Sequence, residues 1–252
     1  MIHSILIIGQ SNMAGRGLFA EAKPIDNKDG KLKVLRNGRW QNIYRPVNPD
    51  RPFSGTCLAE SFARAYANDH DVTTGIIPCA DGGTSLNQWQ EGSLLFDNAV
   101  HTARLAMRTS ELAAILWHQG EADCGPELHP LYLEKLTAIM TALRRELGAE
   151  DIPLLVGGLG DFLADRTESP KLANYPFVNE ALEQFADITP KTAFVSARGL
   201  TSNPDNLHFN AASLHEFGLR YYEEFLKLED RGRVFIEKPN MDDAFRTDME
   251  LL

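Results

Sequence analysis

Five short apolar runs, set far apart along the chain, constrain what this sequence can fold into more than any other feature. They lie at residues 4–9, 73–78, 113–118, 152–157 and 192–197. Near-continuous apolar runs of this kind suit parallel strands covered on both faces, because a strand with one wet face would alternate. The segments between them have helical periodicity instead. In 55–69, Leu58, Phe62, Ala65 and Tyr66 share a stripe. In 131–147, Leu133, Leu136, Ile139, Met140 and Leu143 do the same, and Gly148 supplies the stop. Segments 97–112, 175–186 and 211–228 complete the alternation. Strand, helix and strand in repetition predict an α/β fold, a three-layer αβα sandwich around a mostly parallel sheet of about five strands.

With 252 residues the chain can bury one large core. The stretch 23–53, rich in Pro, Asn, Asp and Arg, breaks the alternation and reads as a long excursion of the kind that forms binding elements or lids. Residues 229–252 are charged and carry no core pattern, so one domain is expected over 1–228, followed by a tail that docks on a neighbour or frays. The formal charge of −10, with no basic stripe, argues against nucleic acid. No apolar run is long enough to cross a bilayer, and residues 5–8 are too short for the core of a secretion signal. Cys57, Cys79 and Cys124 are an odd set without CxxC spacing, which fits free buried thiols in a reducing compartment, the cytoplasm.

Four local patterns fall where such a sheet would gather its loops, and open α/β sheets bind ligands at the carboxyl ends of their strands. The first is Ile8-Gly9-Gln10-Ser11-Asn12-Met13-Ala14-Gly15, a serine in a tight turn directly behind a strand. Its N–H sits where the following helix begins, so the turn can stabilise an anion. Ser11 reads as a nucleophile, or, taken alone, as a helix cap. The second is Ala80-Asp81-Gly82-Gly83-Thr84-Ser85-Leu86, whose paired glycines let backbone N–H groups approach a ligand, or simply make a turn.

The third pattern is Trp117-His118-Gln119-Gly120-Glu121-Ala122-Asp123. Gln119 can offer a side-chain N–H to a developing oxyanion, or be a buried amide paired with backbone. Strand alternation puts His118 on the opposite face, which makes it structural, and Glu121 is expected to brace the loop or the Ser11 turn. The fourth is Pro204-Asp205-Asn206-Leu207-His208-Phe209-Asn210. An Asp three residues before a His can accept its Nδ1–H while Nε2 faces the serine. In the alternative, Asp205 or Asn210 caps the next helix and His208 is a surface residue.

In order and wording, GQSNM, GGTSL, WHQGEAD and DNLHF resemble the SGNH-hydrolase superfamily. More narrowly, they are similar to the branch that contains sialate O-acetylesterases and acetylxylan esterases, from Ile5 to about Phe217. The resemblance implies a flavodoxin-like sandwich, with Ser11 as nucleophile, His208 as general base and acid, and Asp205 orienting His208. It further implies an oxyanion hole from the Ser11 N–H, a glycine N–H of the Gly82–Gly83 pair, and Gln119. Gln10 stands where many members of the superfamily have Asp, and Gln119 replaces the usual Asn; both look like the pattern of the narrower branch.

The implied activity is removal of O-acetyl groups from a carbohydrate through an acetyl-enzyme, with no cofactor and no metal. The implied partner is the acetylated sugar rather than nucleic acid or membrane, with a homo-oligomer left open. Substrate contacts are expected from Gln10, Arg16 and Glu121, with Arg16 suited to the carboxylate of a sialic or uronic acid. Trp89 and Trp40 could stack on a pyranose, against the competing reading that both simply pack. The rival functions are a lipase or thioesterase, which needs an apolar channel beside Ser11, and a non-catalytic carbohydrate-binding protein. A metal site from His118, Asp123, Cys124 and His129 matches no familiar zinc spacing.

Overall fold

Strand β1 (Ile2–Gly9) shows why both faces of the sheet need cover. Leu6 and Ile8 enter one core while Ile5 and Ile7 enter the other, and all four are essentially inaccessible to solvent. Burial of each such side chain contributes about 1.5–3 kcal/mol, which is realised only if a layer of helices lies on either side.

Parallel strands β4 (Thr73–Pro78) and β5 (Ser110–His118) flank β1. The sheet continues through β2 (Leu32–Arg36) beside β4, and through β6 (Leu154–Gly157) and β7 (Thr192–Val195) beyond β5. With β3 (Arg39–Asn42) at one edge, the order is β3-β2-β4-β1-β5-β6-β7 in this computed structural model, which describes residues 1–238. A single turn, α1 (Ser11–Ala14), follows β1. Helices α2 (Ala59–His70) and α6 (Ala211–Leu228) cover the face of Ile5 and Ile7. Helices α3 (Leu94–Ala106), α4 (Tyr132–Leu147) and α5 (Tyr175–Ile188) cover the other.

The three-layer sandwich is as expected, with strands at all five predicted places, but the sheet has seven strands rather than five. The two additions lie inside the stretch 23–53, where β2 and β3 form an antiparallel hairpin. Its turn is Asn37-Gly38, both residues with positive φ (49° and 77°), the two-residue geometry that matches the twist of the flanking strands. Helix α3 stops at Ala106 rather than 112, because Ser110 already pairs with Ile2 at the start of β5. The predicted bounds of α6 coincide with those observed, since Asn210 caps it by accepting from the Ser213 N–H at 2.9 Å.

The first ten residues of the expected tail lie back on the same body, at the amino ends of β1 and β5. Arg231 pairs with Asp69, Lys238 with Glu111 at 3.0 Å, and Phe235 stacks on His3 with ring centres 3.7 Å apart. The rest of that tail, 239–252, lies outside the described residues. All three cysteines are free and buried, as expected. Among the described residues, no helix is long and apolar enough to cross a membrane.

Candidate active site

The order of strands sends consecutive crossovers to opposite sides of β1, so the loops after β1, β4 and β5 converge above its carboxyl end. The turn after β1 is tight because Gly9 allows it. Its φ is +128°, and a Cβ there would sit 2.1 Å from the His118 carbonyl oxygen of β5. Ser11, next but one, opens α1 with its hydroxyl at the floor of a cavity of about 440 Å³.

His208 arrives from the loop before α6, 197 positions later in sequence, and its Nε2 lies 3.1 Å from the Ser11 Oγ. Its Nδ1 lies 2.6 Å from Asp205 Oδ2. Partial burial pushes the Asp205 carboxyl up, but hydrogen bonds from the His208 N–H and ring and from the Leu207 N–H outweigh this and hold it below its ordinary value. An ionised carboxylate only accepts, so the Nδ1 carries the proton and donates it to Asp205. The bare Nε2 then accepts from the Ser11 hydroxyl. Because Asn210 takes the capping role, Asp205 is left for the imidazole.

The glycine turn after β4 faces the same hydroxyl. A Cβ on Gly82 would come within 3.4 Å of the Ser11 Cβ. The Gly82 N–H is already held, donating to Asp50 Oδ2 at 2.8 Å. Among the described residues neither the Ser11 N–H nor the Gly83 N–H donates to a protein acceptor. Arg51 and Phe53 from the end of the stretch 23–53 form one wall of the cavity, and Arg166, Lys171 and Leu172 from the turns between β6 and α5 form the other.

Residues 2–227 match the family model for carbohydrate esterases described as sialic acid-specific acetylesterases. The chain belongs to this family. A probable carbohydrate esterase of Arabidopsis thaliana is 26% identical over 252 residues, covering 88% of this chain and 89% of that protein. The crystal structure of an Arabidopsis thaliana protein superposes with a TM-score of 0.76 at 24% identity, covering 89% of this chain and 98% of the other. NanS superposes with a TM-score of 0.70 at 17% identity, over 90% and 97% of the two chains. A carbohydrate acetylesterase of Xanthomonas citri gives 0.68 at 19%, over 93% of this chain and 57% of the other. These structures share the mostly parallel α/β fold.

Several residues of the esterase sit differently from expectation. Gln119 lies beneath the cavity rather than in it, fully buried on the α4 side of β5. Its Nε2 donates to Gln10 Oε1, the Thr84 carbonyl and Asp123 Oδ2 at 3.1, 3.0 and 2.5 Å, so its two N–H groups face three acceptors and none faces the cavity. His118 lies on the opposite face, as alternation requires, and its Nε2 donates to the Gly158 carbonyl.

Arg16 does border the cavity, but its guanidinium donates to Asp50 through both terminal nitrogens, at 3.0 and 2.6 Å, and both side chains are almost wholly buried. Burial would raise the Asp50 carboxyl, and hydrogen bonds from Arg16, Ser54 and Gly82 overcome this and hold it below its ordinary value. The charge expected to meet a substrate carboxylate is therefore already neutralised.

Trp89 is 1% exposed, edge-on to Trp117 with its Nε1 donating to Thr84, and offers no face to a sugar. Trp40 lies over Gly75, near the amino end of β4 and away from the cavity, and donates to Thr109. Gln10 and Glu121 do border the cavity. The residues that sequence reading passed over are Asn12, Asp50, Phe53, Arg166 and Lys171. Of these only Asn12, beside the serine, and Asp50 and Phe53, in the flagged excursion, had a signal in the sequence.

Proposed function

We propose that this chain is a serine esterase that removes O-acetyl groups from a carbohydrate through an acetyl-enzyme. The observation that carries this reading is the continuous chain of contacts from the Asp205 carboxylate through His208 to the Ser11 hydroxyl. The Ser11 Oγ attacks the acetyl carbonyl as its proton passes to His208 Nε2. The ester C–O bond then breaks, and the sugar oxygen leaves with that proton. Water, deprotonated by His208, attacks the acetyl-enzyme and releases acetate and free Ser11. Asp205 stays ionised and stabilises the imidazolium at each transfer. The Ser11 and Gly83 N–H groups are the donors assigned to the oxyanion, while Gln119 shapes the loop below it.

The cavity walls favour an acidic sugar over a neutral one. Of the cations on these walls, Arg16 and Arg51 are paired with Asp50 and Asp81, while among the described residues Arg166 and Lys171 meet no carboxylate side chain. Phe53 is 69% exposed at the rim and provides the aromatic face that Trp89 and Trp40 do not. Acetate release measured with O-acetylated sialic acids, acetylated xylan fragments and long-chain aryl esters tests this assignment. Highest kcat/KM is expected for the acidic sugar. A preference for xylan fragments would remove the role of Arg166 and Lys171, and a preference for long acyl chains would replace the carbohydrate reading with a lipase.

A further inference from the structure

We infer that Asn12, held in place by Glu121, is the positioning residue that sets the distance between Ser11 and His208; this rests on the esterase reading above. The two groups come from segments 197 residues apart, so their 3.1 Å separation depends on how the loop of His208 is fastened to the turn of Ser11. Asn12 supplies two of those fastenings. Its Nδ2 donates to the Leu207 carbonyl at 3.1 Å, and its Oδ1 accepts from the Phe209 N–H at 3.0 Å. One amide thus holds the residues on both sides of His208, and it belongs to the residue next to the nucleophile.

The second N–H of that amide is held by Glu121, whose Oε1 accepts from Asn12 Nδ2 at 2.5 Å. With both N–H groups and the oxygen engaged, the amide has a single orientation. Glu121 is 4% exposed, and among the described residues its Oε2 has no hydrogen-bond partner. A buried carboxyl with an unpartnered oxygen costs stability, so its retention at the edge of the cavity needs a reason. Among the described residues the only side-chain hydrogen bond it makes is the one to Asn12. The His118 ring below, at 4.0 Å from Oε1, is edge-on to Phe209, whose side chain is wholly buried.

The His208 loop has other anchors, so losing Asn12 should shift it without unfolding it. Phe209 is packed between Phe162 and Phe217, and Asn203 Nδ2 donates to the Arg16 carbonyl at 2.9 Å. A displacement of about 1 Å between reacting groups can lower a rate by about 10²-fold.

The test compares wild type, Asn12→Ala, Glu121→Ala, Glu121→Gln and the double variant Asn12→Ala/Glu121→Ala. The readouts are acetate release from an aryl acetate, the fraction of Ser11 that an organophosphonate labels at completion, and thermal unfolding. Asn12→Ala is expected to lower kcat per labelled site by about 10²-fold with KM little changed. The double variant should be no slower than Asn12→Ala, because both act through one chain of contacts. Glu121→Gln, whose amide oxygen can still accept from Asn12, should recover most of what Glu121→Ala loses.

A lower melting temperature with unchanged kcat per labelled site would make Asn12 merely structural and overturn the inference. So would additive losses in the double variant. A wild-type protein that neither releases acetate nor takes the label would defeat the esterase reading itself, and the positioning role with it.

Discussion

Each contact in the chain from Asp205 to Ser11 has a separate expected effect. Asp205→Asn keeps the size of the side chain but offers an N–H where an acceptor is needed, which disturbs the tautomer of His208. Because Asp205 is partly exposed, with a side chain 40% accessible, the loss in kcat should be about 10²–10³-fold rather than the larger loss of a fully buried triad. Steady-state kinetics on an aryl acetate check this, and a rate within a few-fold of wild type would show that His208 is oriented by something else. Phe53→Ala tests the sugar face: removing the ring should raise KM for an acetylated sugar about tenfold while leaving a small aryl acetate nearly unaffected. Equal effects on both substrates would assign Phe53 to shaping the cavity. The resemblance of GQSNM and DNLHF singled out Ser11, Asp205 and His208, and the fold brings the three side chains into contact. The sequence did not reveal what holds Gln119, Arg16 and Trp89, for one shared reason. Each has a partner distant in sequence, Gln10 and Thr84 for the first, Asp50 for the second and Trp117 for the third, and a residue's type does not reveal which neighbour already holds it.

At the scale of elements, close backbone approach sets the position of α6, which carries the His208 loop at its amino end. Gly218 of α6 packs so tightly on α2 that a Cβ would lie 2.0 Å from the Leu58 carbonyl oxygen and 2.1 Å from Ser61 Oγ. Gly218→Ala must push the two helices apart, an overpacking expected to cost about 2–3 kcal/mol and to lower the melting temperature by about 5–10 °C. Calorimetry checks this, and an unchanged midpoint would mean that α6 slides at no cost. The helices were legible because each has an apolar stripe; α4, for example, buries Leu136, Ile139, Met140 and Leu143 and ends at Gly148 with a φ of +57°. The β2–β3 hairpin escaped notice although Asn37-Gly38 marks its turn, because β3 is an edge strand with three of its four residues exposed and no apolar pattern. The wall at 166–172 was hidden more deeply: it is built from short turns without periodicity, and only the cavity gives those residues a role.

At the scale of the whole molecule, a buried histidine and the proposed active site lie at opposite ends of the sheet. Near the amino end of β1, His3 is buried against Tyr66 and stacked on Phe235. Burial, with help from the nearby positive charges of His70, the amino terminus and Arg233, lowers its pKa from 6.5 to about 4. The folded protein therefore binds fewer protons there than the unfolded chain between those values. Its contribution, on the order of 3 kcal/mol, is complete above pH 6.5 and is lost as the pH falls toward 4. His3→Gln should flatten the melting temperature over that window, and an unchanged slope would place the acid sensitivity elsewhere. At the carboxyl end, a hydroxyl and an imidazole 197 residues apart are proposed to act as one nucleophilic unit. Labelling by an organophosphonate, followed by peptide mass analysis, measures this most directly. The expected result is one equivalent on Ser11, with the rate lowered by at least about 10²-fold in His208→Ala. Label on another residue, or an undiminished rate without the imidazole, would contradict it.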